Sequence, residues 1–111
     1  MIRETISKIE AKLHHAESLG SETRRELIQL LGTLKTEVTE LSKTNAEKAR
    51  SIAVFAETSA NEAISEQKNP ELLKLSVQDL SASVDGFEQS HPELVQIVNR
   101  ICTTLSNNET R

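Results

Sequence analysis

The chain has 111 residues and a formal net charge of −4, with 36% hydrophobic and 27% charged residues, two Phe and neither Trp nor Tyr. That length has room for one domain with a modest buried fraction, and its core must be aliphatic and rich in alanine. Lysines and arginines are dispersed among carboxylates, without the basic stripe and stacking aromatics of a nucleic-acid binder, and the longest apolar run, Ile52 to Ala56, is far short of a membrane span.

A single cysteine, Cys102, excludes an internal disulfide framework, and Met1 to Thr5 has no apolar signal region. Together these predict a protein of the reducing cytoplasm.

The first predicted helix covers 2–19. Its apolar residues Ile2, Ile6, Ile9, Leu13 and Ala16 recur at steps of four and three, a seam along one face. Gly20 stands where a left-handed C-terminal cap belongs, and Ser21 or Thr23 can cap the next helix, Thr23 with Glu26 matching the capping-box spacing. So short a link predicts an antiparallel hairpin.

The second predicted helix, 22–66, is the long central element. Leu27, Leu31, Leu34, Val38 and Leu41 form an intramolecular seam, widened by Ile28 and Leu30. No proline interrupts it, and Gly32 is a tolerable interior cost of about 1 kcal/mol. A helix of this length would extend roughly 67 Å. Beyond Leu41 its character changes. Ala46, Ala49, Ala53, Ala56, Ala60 and Ala63 repeat at steps of three and four beside Ile52 and Phe55. Small side chains let two backbones approach closely. Asn45 and Lys48 fall in successive seam layers, and two polar layers predict a wet joint rather than a buried, register-fixing asparagine.

Asn69-Pro70 is a strong helix start, because asparagine caps well and proline at the first helical position loses nothing by lacking an N–H. The third helix, 70–89, carries Leu73, Val77, Leu80, Val84 and Phe87, and Gly86 loosens its end. At Ser90-His91-Pro92-Glu93 the proline disfavours helical geometry at His91, so the chain kinks or restarts there. Ser90 and Glu93 have capping-box spacing, and His91 can bond local backbone to set the angle. The fourth helix, 92–106, shows Leu94, Val98, Ile101 and Leu105, and the tail beyond it is polar.

The predicted fold is thus a single all-α domain over 1–111, with four helices in a coiled-coil-like bundle. The sequence leaves open whether the fourth helix folds back on the third; if it continues past the kink it lies beside the first, and the N-terminal half of the spine then gains two covering helices. The alanine half gains only one. That imbalance predicts a homo-oligomer, a dimer first, with Ala46, Ala49, Ile52, Ala53, Phe55, Ala56 and Ala60 at its interface.

The run Phe87-Glu88-Gln89-Ser90-His91-Pro92-Glu93-Leu94, followed by a short amphipathic helix, resembles the signature of a bacterial family of small proteins catalogued as domain of unknown function 4404. The stretch from Ser18-Leu19 through Glu26-Leu27 to Leu30-Leu31 is similar to that family's first helical hairpin. The alanine-rich middle is longer than in typical members, and Asn107-Asn108-Glu109 stands where members often end in Met-Gly-Ile. The resemblance implies a helical fold and brings no activity. Phe87, Ser90, His91 and Pro92 are the motif residues.

Catalytic patterns are sparse. Glu10, His14 and Glu17 share a helix face and could clip a surface metal, and Glu88-x-x-His91 has the spacing of di-iron motifs. One such motif straddling a proline lacks the second motif and the inward carboxylates that those sites need. No Gly-x-Ser-x-Gly elbow or phosphate-cradling glycine loop occurs. Cys102 follows Ile101 in the seam and reads as a small hydrophobe. The composite expectation is a non-enzymatic, cofactor-free scaffold or adaptor that self-associates. The alternatives are a monomeric module that receives a partner's helix and, more distantly, a metal-dependent enzyme.

Overall fold

A computed structural model describes residues 2–17, 19–65 and 69–109. The predicted polar break at Gln67 and Lys68, Ser18 of the first link, and Thr110 and Arg111 of the tail lie outside the described residues. Within them are five helices and no strand: α1 (Ile2–His14), α2 (Ser21–Ser42), α3 (Ala46–Ile64), α4 (Pro70–Ala82) and α5 (Pro92–Glu109).

The largest correction concerns the spine, which is two helices. At Asn45 the backbone leaves helical geometry (φ −151°, ψ 80°), and the asparagine side chain accepts a hydrogen bond from the Lys48 N–H at 3.2 Å. Asparagine competes with the helix for its own backbone and so favours a cap over an interior position. Asn45 and Lys48 are both exposed, so the polar joint is real and takes the form of a turn. Folding back buries Ala49, Ile52, Ala53, Ala56, Ala60 and Ala63 within the same chain. At about 0.8 kcal/mol per methyl and about 2 kcal/mol for the isoleucine, that burial contributes roughly 6 kcal/mol, more than one interrupted helical turn costs. The longest principal extent of the molecule is 37 Å, about half of what an unbroken spine demands.

Side-chain bonds give the helix directions. Glu10 pairs with Lys35 at 2.7 Å, and Arg24 donates to the Ala16 carbonyl at 3.1 Å, so α1 and α2 are antiparallel. Lys8 reaches Glu57 at 4.0 Å and Lys12 donates to Asn61 at 3.3 Å, so α1 and α3 run parallel. Thr104 donates to Glu26 at 3.1 Å while Glu93 lies beside Glu37, which makes α5 antiparallel to α2. The α2–α3 hairpin is the centre. Helix α1 packs on one side of it, and α4 and α5, paired with each other, pack on α3 and α2. The core runs through Ile9, Leu13, Leu31, Leu34, Val38, Ile52, Leu80, Leu94, Val98 and Leu105.

Other boundaries also move. Helix α1 ends at His14, five residues early, although Ala16 and Leu19 remain buried. Gly20 is the extended N-cap of α2 (φ −61°, ψ 152°) and not a left-handed C-cap. The capping box of Thr23 and Glu26 does not form, since Glu26 serves Thr104 instead. Asn69 and Pro70 start α4 as expected, with the asparagine accepting from the N–H groups of Glu71 and Leu72 at 3.1 and 3.3 Å. Helix α4 stops at Ala82 rather than 89, and the turn beyond it uses Gly86 at φ +95°. That left-handed value suits a residue without a Cβ. Helix α5 folds back along α2 and α4, not onward beside α1, and continues to Glu109.

Candidate functional site

The corner between α4 and α5 gathers the motif residues. The Phe87 N–H bonds to the Val84 carbonyl at 3.1 Å, and the His91 N–H bonds to the Phe87 carbonyl at 2.8 Å. It is thus the backbone of His91, rather than its imidazole, that closes the corner. The imidazole packs edge-on against Phe87, with ring centroids 5.9 Å apart and planes at 66°, an arrangement that aromatic quadrupoles favour. Pro92 occupies the first position of α5, and Ser90 is exposed. Glu88 turns inward on its own loop and accepts from the Gly86 N–H at 3.0 Å.

Opposite this corner stands Glu37 of α2, half-buried. Burial pushes its carboxyl above the usual range; the nearby Glu93 charge and a hydrogen bond between the two carboxyls add to this, as does Glu40, while His91 opposes it. The arrangement sets a carboxyl of α2 against one of α5 beside a histidine. It lacks a nucleophile, and among the described residues no three His, Cys, Asp or Glu side chains come together as a metal-holding group. The surface clip that Glu10, His14 and Glu17 could have formed on one face does not assemble, because α1 ends at His14 and Glu10 is engaged by Lys35.

The expected interface residues divide. Ala49, Ile52, Ala53, Ala56 and Ala60 are interior, Phe55 is half-buried and Ala46 is exposed. The stripe is therefore covered by α1, α2 and α4 of its own chain, and the imbalance that called for a second copy disappears once the spine folds. What the surface does present was missed: Val54, Leu72 and Leu75 are 45, 47 and 52% exposed. The signal was available, since all three lie off the four-three seam of their helices.

Cys102 is buried, with its Sγ 3.5 Å from the Val77 carbonyl, and burial raises its thiol to about 11. Open clefts mark the surface of the described residues, among them these two. One, of about 370 Å³, is lined by Asn45, Glu47, Lys48 and Ser51 at the start of α3. The other, of about 210 Å³, lies between α2 and α5 over Glu26, Asn99, Arg100, Thr103 and Thr104. Both are lined by polar side chains, unlike the enclosed apolar pockets that hold small ligands. Among the described residues no helix is long and apolar enough to cross a membrane. No family model matches the chain, and neither a curated protein nor a solved structure matches it.

Proposed function

We propose that the protein is a non-enzymatic helical bundle acting as a small scaffold or adaptor, which receives an amphipathic helix of another protein on α4. The half-exposed pair Leu72 and Leu75 carries this reading, because they neighbour each other on one helix face while, Val54 apart, the other large apolar side chains among the described residues are buried or partly buried. Two side chains three residues apart are the anchor spacing that a partner helix reads. Size argues against a stable dimer through the same face. With Val54 the exposed apolar side chains amount to on the order of 200 Å², against about 800 Å² per partner in a stable interface. The lone buried thiol Cys102 suits a reducing cytoplasm.

The test compares wild type with a Leu72→Glu/Leu75→Glu double variant, by light scattering and by capture from the native host. A monomer at tens of micromolar whose captured proteins are lost in the variant is the expected result. A wild-type dimer that the double variant disperses would make the face a self-contact and overturn the adaptor reading.

A further inference from the structure

We infer that the α2–α3 hairpin opens at Asn45 into one continuous helix, and that two copies of the chain then exchange halves, each α1–α2 closing on the other's α3–α5. This is independent of the α4 face. The joint is short and nearly helical. Lys43 keeps right-handed helical angles (φ −69°, ψ −27°), and the Asn45 N–H still bonds the Leu41 carbonyl four residues back, at 2.8 Å. The ladder resumes immediately, with the Ala49 N–H on the Asn45 carbonyl at 3.1 Å. Asn45 itself is what leaves the helix. From Thr33 to Ser65 the sequence has neither glycine nor proline, so nothing covalent forbids a straight run from Ser21 to Ile64, on the order of 66 Å long.

The occupant of the opened surface follows from shape. Opening uncovers Ala49, Ile52, Ala53 and Ala56 on α3 together with the Leu34 and Val38 seam of α2. The surface that matches this relief is the same pair of faces in a second copy. The Lys8–Glu57, Lys12–Asn61 and Thr104–Glu26 contacts would re-form between chains, while Glu10–Lys35 stays within one. Since both forms hold the same contacts, the balance rests on the joint and on protein concentration, the usual basis of exchange through a short hinge. Asn45 caps the closed form, so replacing it should favour the open one.

The experiment refolds wild type, Asn45→Ala and Asn45→Glu from denaturant at low and at high protein concentration and measures mass by light scattering. Loss of the cap at about fivefold per joint, with two joints per dimer, lowers the dimer dissociation constant roughly twenty-five-fold. A Cys102→Ala chain spin-labelled at exposed Arg25 and Thr58, diluted into unlabelled chain, reads the intrachain distance. It should lengthen to roughly 50 Å in the dimer. A variant with three glycines inserted after Thr44 should stay monomeric. Monomers in both Asn45 variants at every concentration would overturn the inference, as would a dimer whose intrachain distance remains that of the hairpin.

Discussion

Ser59 places a polar side-chain atom without a partner in the packed interior. Among the described residues its hydroxyl is the sole buried side-chain oxygen or nitrogen lacking a hydrogen bond, and the residue is 0% exposed within the alanine face of α3. Burying an unpaired hydroxyl costs about 1–3 kcal/mol by mutational measures. Ser59→Ala removes that oxygen and adds a better helix former. The vacated space is one atom, so the cavity it leaves offsets only a few tenths of a kcal/mol. The net expectation is a gain of about 1–2 kcal/mol. For a chain of this size each kcal/mol raises the midpoint by about 4 °C. Urea titration and thermal melting, both followed by far-ultraviolet circular dichroism, measure it. Ser51→Ala is the control, since Ser51 is exposed on the same helix and tests helix propensity alone. If Ser59→Ala gains no more than the control, the hydroxyl has a partner in solution and the reasoning fails.

Gly86→Ala should destabilise the fold by about 1–2 kcal/mol, because φ +95° strains any residue with a Cβ even though open space surrounds the position; an unchanged urea midpoint would refute this. Glu37 supplies a pH dependence. Its carboxyl sits above the ordinary value of 4.5, so the folded state binds its proton more readily than the unfolded chain does. Its contribution to stability is therefore best at pH below 4.5 and falls as pH rises through the folded pKa, remaining a cost at neutral pH. Glu37→Gln should then be more stable than wild type near neutrality, with the advantage vanishing below pH 4.5. An advantage that is constant with pH would show that the proton is not involved.

Much of the fold was legible along the chain because its signals are local. The four-three spacing marked Ile6, Ile9 and Leu13, then Leu27 to Leu41, then Leu73 to Val84, as core faces, and all of these stretches supply buried residues. Asn69-Pro70 and His91-Pro92 set the starts of α4 and α5 through backbone chemistry that no packing could reverse. The interface residues were harder to place. An apolar stripe says that something covers it, and periodicity is silent on whether the cover belongs to the same chain.

The sequence by itself determined that this is an all-helical chain with thin, alanine-rich faces, since side-chain period and composition act within one helix. Only the tertiary structure decided that Asn45 is a cap. An asparagine in an otherwise unbroken helical pattern is compatible with both a straight spine and a turn. The choice falls to the burial of Ile52 and its alanines against α1, α2 and α4, contacts between residues far apart in the chain. The same long-range packing turned the expected interface into core and left Leu72 and Leu75 outside.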